Sequence, residues 1–195
     1  METGLCSCSN SESTTLSNCY RNYFHMLGTG YSDYFEKIDD YLYYTSGVDT
    51  VCSYYGALQK CLGDTVIGDC INSNGFYQTF GGRNNNDMTA NYFEFQFLCG
   101  KGKNAYKNQL SCLDKLYPDC PTNIDTCSKA KTDINCYANA AKKSCGQDGY
   151  YFMYNQLSIR WCHSNLHCDT CTNGTEAIGF SFITIFVSVI LLYIF

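Results

Sequence analysis

Apolar residues recur at helical spacing in five stretches of the chain. Asp33-x-x-Glu36 has the pattern of a capping box, and Ile38, Tyr41 and Leu42 follow on one face until Ser46-Gly47 ends the run. Asp49-Thr50 opens a second stretch in which Val51, Tyr54, Tyr55, Leu58 and Leu62 share a face, with Gly63 as its stop. Asp133 is the expected cap of a third. Ile134, Tyr137, Ala138 and Ala141 face inward there, Lys142 and Lys143 lie near the negative end of the helix dipole, and Gly146 marks the exit. Tyr150, Met153, Tyr154, Leu157 and Trp161 form a fourth stripe, and Ala105 to Tyr117 a fifth before Pro118. One segment departs from this period: Phe93, Phe95 and Phe97 alternate with Glu94 and Gln96, as in a strand. Its likeness to the stretch from Tyr150 to Cys162 still assigns it to helix. Gly81 to Asp87, GGRNNND, reads as a polar, exposed loop.

At the C-terminus the pattern changes to an unbroken apolar run, Ala177 to Phe195, without a charged residue. Eighteen residues of helix span roughly 27 Å, just enough to cross the hydrocarbon of a bilayer. No Lys or Arg follows to hold a span in place, which is the pattern of a GPI-attachment signal. Asn173-Gly174-Thr175 supplies the small residues for attachment and is also the only N-x-S/T sequon, so anchor and glycan compete for Asn173. A C-terminal transmembrane helix is the alternative. The N-terminus shows no basic start with an apolar stretch behind it, so a signal peptide is expected to lie outside this chain.

Composition sets the compartment. Among 195 residues there are 15 cysteines, 2 prolines and 1 tryptophan; 45% are hydrophobic and 16% charged, enough apolar content for a folded core. The net charge of −5 and a pI near 5.0 argue against a nucleic-acid partner, whose phosphates need Lys and Arg. So many thiols without a metal or catalytic pattern point to disulfides and an oxidising compartment. The candidates for bridges are Cys19, Cys52, Cys61, Cys70, Cys99, Cys112, Cys120, Cys127, Cys136, Cys145, Cys162, Cys168 and Cys171; Cys6 and Cys8 are not among them. An odd total leaves one cysteine unpaired, bonded to another chain, or bonded to one missing from the N-terminus.

The spacing of these cysteines carries a repeat. Cys52, Cys61 and Cys70 are nine apart, and Cys127, Cys136 and Cys145 repeat the interval. Each triplet then leads through an aromatic segment to a further cysteine, Cys99 and Cys162, which gives two related units, 52–99 and 127–162. Nine residues turn an α-helix through about 900°, so neighbouring cysteines of a triplet fall on opposite faces and each triplet must bend. The expected architecture is all-α: short helices cross-linked by multiple disulfides, with a C-terminal hydrophobic helix. It divides into a flexible N-terminal segment 1–18, a disulfide-rich helical ectodomain 19–163, a stalk 164–176 and the GPI-signal or transmembrane segment 177–195.

The C-x8-C-x8-C triplets, FLC followed by LSCLDKLYPDC, and INCYANAAKKSCG resemble nematode-type secreted cysteine-rich helical domains of unassigned function, and more distantly chondroitin-proteoglycan core-like domains. The likeness covers about Cys52 to Cys162 and implies an extracellular helical module without catalytic residues. A proteoglycan role would use Ser-Gly sites near acids, and only Ser46-Gly47 before Asp49 fits.

Candidate chemistry is sparse. His163 and His167, four apart and flanked by Cys162, Cys168, Asp169 and Cys171, could hold zinc if they shared a helix face, but an oxidising compartment turns those thiols into disulfides. No metal and no cofactor is expected. His25 reads as a packed or surface side chain, Asp39-Asp40 as a solvated helix face, and Lys101, Lys103 and Lys107 as a wet loop that could meet an anionic glycan. The 18 tyrosines, in pairs such as Tyr43-Tyr44, Tyr54-Tyr55 and Tyr150-Tyr151, fill the core or contribute recognition surface. The expected function is a non-catalytic, membrane-tethered extracellular module that binds a protein, glycan or small ligand. A coat or matrix protein linked by disulfides, and a small secreted metal-dependent enzyme using His163 and His167, are the alternatives.

Overall fold

The computed structural model describes residues 8–82 and 84–170. Among them are seven helices and no strand: α1 (Asn10–Leu27), α2 (Tyr34–Leu42), α3 (Thr45–Cys70), α4 (Ser73–Phe80), α5 (Asn85–Cys99), α6 (Lys103–Leu113) and α7 (Cys127–His163). Cys171, Asn173 and the apolar run from Ala177 lie outside the described residues. Among the described residues, no helix is long and apolar enough to cross a membrane.

The capping box forms at α1. Ser9 Oγ accepts the Glu12 N–H at 3.3 Å and the Ser9 N–H donates to Glu12 Oε2 at 2.7 Å, while Gly28 closes the helix at φ 68°. Leu16, Tyr20, Tyr23, Phe24 and Leu27 lie buried along the core side. Residues 10–18 are therefore helix rather than part of a flexible segment, held by their own cap and by burial. The sequence Asp33-x-x-Glu36 makes no such box: Asp33 precedes α2 with no side-chain capping bond. Ser46 and Gly47 lie in the first turn of α3 instead of ending the run before it.

Two of the expected stops do interrupt the helical backbone, and a second helical run starts directly after each. Gly63, at φ 68° and ψ 166°, kinks α3, and Gly146, at φ 75° and ψ −165°, kinks α7. Glycine reaches that backbone region almost alone, so the helical run is broken there and resumes at once in a new direction. The bend expected within each triplet is present in α3, between Cys61 and Cys70. In α7 it comes one residue after Cys145, so the second triplet does not bend: its cysteines leave one helical run to reach Cys168, Cys120 and Cys112. Asp133 does not cap its helix, since α7 starts at Cys127 with Thr126 as its N-cap, accepting from the Lys129 N–H at 3.3 Å.

Helix α5 occupies the centre, packed against α3, α4, α6 and α7. Met88, Tyr92, Glu94, Phe95, Phe97 and Leu98 are buried around its circumference, so it has no polar stripe and its sequence shows no helical period. The GGRNNND segment is only partly exposed. Asn85 is buried in the first turn of α5, where its side-chain amide donates to Gly82 O at 2.7 Å.

Aromatic rings make much of the core. Tyr20, Tyr23, Tyr34, Tyr55 and Tyr92 are all buried, with Tyr20 edge-on to Phe76 at 5.2 Å and Phe24 tilted against Tyr34 at 5.2 Å. Tyr55 donates to Tyr92 O at 3.1 Å and Tyr34 to Asn91 Oδ1 at 2.5 Å, whereas the buried Tyr23 and Tyr92 hydroxyls have no hydrogen-bond partner among the described residues.

Six disulfides link the described residues. Cys70 bonds Cys8, Cys61 bonds Cys19 and Cys52 bonds Cys99; Cys145 bonds Cys112, Cys136 bonds Cys120 and Cys127 bonds Cys168. In both triplets the third cysteine reaches back to the earliest partner, the second back to the next, and the first forward. The bridges therefore span 8–99 and 112–168, wider than the units drawn from spacing. Cys168, not Cys162, is the counterpart of Cys99, although Cys162 is disulfide-bonded as well. Residues 164–170 do not form an extended stalk: Cys168 is tied to Cys127, and the buried Thr170 hydroxyl donates to Ser158 O at 2.9 Å.

Candidate functional site

The last turns of α7 bring two adjacent side chains to bear on different partners. Arg160 Nε donates to Glu94 Oε1 of α5 at 2.7 Å, and its Nη2 to Oε2 at 3.4 Å. Glu94 is buried (side chain 8% exposed) while Arg160 keeps half its side chain in solvent. The Glu94 carboxylate pushes the Arg160 pKa up, against the opposing effect of burial. One residue on, Trp161 Nε1 donates to Asp133 Oδ2 at 3.0 Å, across the Gly146 bend to the first half of the same helix.

Arg160 borders two clefts. One, of about 350 Å³, lies between α2, α5 and α7, with Ile38, Leu42 and Phe95 apolar in its lining and Asp39, Asp87 and Glu94 as its acids. Burial raises the Asp39 carboxyl, with Arg160 opposing and Asp40 adding to the shift. The other, of about 450 Å³, opens between residues 121–124 and α7, where Asp133, Tyr137, Met153, Leu157 and Trp161 form much of its wall. Both fall within the size range of small-molecule sites. Burial also raises Asp133, opposed by the Trp161 hydrogen bond and by Arg160. Depending on what fills them, such clefts can orient a ligand through one or two polar groups against an apolar wall.

The residues singled out from sequence are dispersed. His163 stacks on Phe93 with ring centroids 3.9 Å apart, and α7 ends there, so His167, in the turn beyond at φ 47°, is not its partner on a helix face. Burial lowers the His163 pKa, with His167 adding to the effect. The sulfurs of Cys162 and Cys168 are in disulfides. Among the described residues, no group of three or more His, Cys, Asp or Glu side chains is placed to hold a metal ion. His25 is exposed in the last turn of α1, and Lys103 and Lys107 converge on Asp49 at 2.9 and 2.6 Å. Tyr43 and Tyr44 are exposed and meet edge to face at 5.2 Å, beside a third cleft bordered by Lys107 and Lys115. Tyr55 belongs to the core, and Tyr150 stacks on Tyr154.

Neither the Glu94–Arg160 pair nor the Asp133–Trp161 pair was anticipated from sequence. The available signal was a lone acid between phenylalanines, Phe93-Glu94-Phe95, and an Arg beside the single Trp. No family model, curated protein or solved structure matches this chain. The resemblance to nematode-type cysteine-rich domains therefore rests on cysteine spacing and helical pattern alone.

Proposed function

We propose that the chain is an extracellular, membrane-tethered module of two disulfide-linked units that binds a ligand without transforming it. The observation that carries this reading is the disulfide set: the described cysteines are all in bridges, a state maintained in oxidising compartments and rare in the cytosol. The shared connectivity of the two triplets supports an origin of the units by duplication. The clefts on either side of Arg160 offer sites of small-molecule size, and the apolar run from Ala177 supplies the tether, as a GPI signal or a transmembrane helix.

Expression of the full chain in cells with an intact secretory pathway tests the reading. Staining of unpermeabilised cells, with a maleimide probe that reacts only after reduction, is the expected outcome. A protein confined to the cytosol with freely labelled thiols overturns it. Release by a phosphatidylinositol-specific phospholipase then identifies a GPI anchor, and retention identifies a spanning tail.

A further inference from the structure

Asp133 is an unusual carboxylate for this protein. It is 5% exposed, and its one hydrogen bond is the Trp161 Nε1 donation to Oδ2; no described residue donates to Oδ1. A buried carboxylate normally gathers several donors or a cation, because the charged form has lost its hydration. The nearby cation is Arg160, and it is engaged by Glu94 through Nε and Nη2 without forming an ion pair with Asp133. Glu94 offsets the charge of Arg160, so among the residues lining the cleft of about 450 Å³ Asp133 is the acid left without an ion-pair partner.

Most of the wall around that charge is apolar or aromatic, with Thr122 and the Glu94-bound Arg160 also in the lining. Asp133 borders the cleft of about 450 Å³ together with Trp161, Tyr137, Met153, Leu157 and Ile124. Indole and phenol faces attract cations, while the thioether and aliphatic groups accept a hydrophobic body. A divalent metal would find one carboxylate where it needs several oxygen ligands. An anion would meet Asp133, and a neutral apolar molecule would bury Oδ1 further without giving it a donor.

We infer that this cleft binds an organic ammonium group carried on a hydrophobic body, with Asp133 Oδ1 accepting its N–H and Trp161 and Tyr137 flanking the charge. The inference rests on the proposal that the protein is a ligand-binding module, and it names the ligand chemistry. Two sources share that chemistry, a free aryl-alkylamine and a lysine side chain of a partner protein.

Trp161 is the only tryptophan of the chain, so its fluorescence reports on the cleft directly. The full chain, purified with its disulfides intact in a non-ionic detergent, is titrated with phenethylamine, Nα-acetyl-lysine methylamide, phenethyl alcohol and phenylpropionate, with heats of binding measured in parallel. The expected result is saturable binding of at least one amine. The alcohol and the acid should bind at least about tenfold more weakly, as is usual when a buried charged group loses its partner. Asp133→Asn, whose side-chain oxygen can still accept from Trp161, should abolish the amine preference. Tighter binding of phenethylamine assigns the site to a small amine, and tighter binding of the lysine derivative assigns it to a protein partner. Failure of both amines to saturate, or equal binding of amine and alcohol, overturns the inference. Because amine and alcohol are compared on the unaltered protein, the test stands even if Asp133→Asn does not fold. Binding of the alcohol or acid without amine preference would leave the ligand-binding module intact while removing its proposed ligand class; silence from all four probes would count against both.

Discussion

Glu94 and Arg160 are 66 residues apart in sequence, yet Arg160 Nε lies 2.7 Å from Glu94 Oε1, and the pair joins α5 of the first disulfide unit to α7 of the second. The two side chains differ in exposure, 8% for Glu94 and 52% for Arg160. Removing the arginine strands a buried carboxylate, whereas removing the glutamate leaves a cation that can turn to water. Arg160→Met should therefore destabilise more than Glu94→Gln. Breaking a fully buried pair costs about 3–5 kcal/mol, and solvent access to Arg160 should bring this to about 1–3 kcal/mol. The double variant should recover part of the loss. Denaturant melts of the four proteins with disulfides intact supply the comparison, and equal effects of the two single changes would show that Glu94 is not the buried partner.

Gly63 and Gly146 predict a contrast within the long helices. Both have positive φ with ψ near 180°, and a Cβ at either would meet nothing within 4 Å, so only the backbone conformation opposes a side chain. Gly63→Ala and Gly146→Ala should each cost about 1–3 kcal/mol. Gly56 also has open space around it, but lies in the regular part of α3 without positive φ. Gly56→Ala should stabilise by about 0.5–1 kcal/mol. Thermal melts distinguish the two classes by sign, and stabilisation at Gly63 or Gly146 would remove the bends from the account.

These glycines also show how far the sequence could be read. Their positions as breaks were visible, but a glycine at φ above zero bends a helix or ends it depending on what the following residues pack against. After Gly63, Val66 and Cys70 are buried and the helix resumes. Amphipathic stretches such as Val51 to Leu62 were legible because one side faces water. Helix α5 was not, because neighbours cover most of its surface and burial erases the period. The clefts around Arg160 stayed hidden for a related reason: each needs side chains from both halves of α7 or from both units, and no local motif brings Asp133 to Trp161.

His163 gives the protein a sensitivity to mild acid. Its ring is stacked on Phe93, and burial holds its pKa below the ordinary histidine value. The unfolded chain then binds a proton that the folded chain resists, so stability rises with pH across the window below about 6.5 and falls as pH drops through it. His163→Phe keeps a ring against Phe93 and cannot titrate. Melting temperatures at pH 7.5 and 5.5 should differ less for this variant than for the parent protein. An unchanged difference would place the sensitivity on another group, with His167 the nearest to test.

The disulfide connectivity makes the most specific prediction. Six cysteines can pair in about 15 ways, so the same order in both triplets is not expected of unrelated segments. Proteolysis under non-reducing conditions, followed by mass spectrometry, should recover the cross-linked peptides Cys8 with Cys70 and Cys19 with Cys61, and their counterparts Cys112 with Cys145 and Cys120 with Cys136. The bridges should also differ in what they contribute. Closing 62 residues, as Cys8–Cys70 does, restricts the unfolded chain more than closing 16, as Cys120–Cys136 does. Loop entropy puts the loss on replacing both cysteines by serine at about 4 kcal/mol for the first pair and about 3 kcal/mol for the second. If the recovered peptides paired Cys8 with Cys19, or joined a cysteine of one triplet to the other, the two-unit organisation would have to be abandoned, and with it the placing of the cleft between α2, α5 and α7 at a junction of two units.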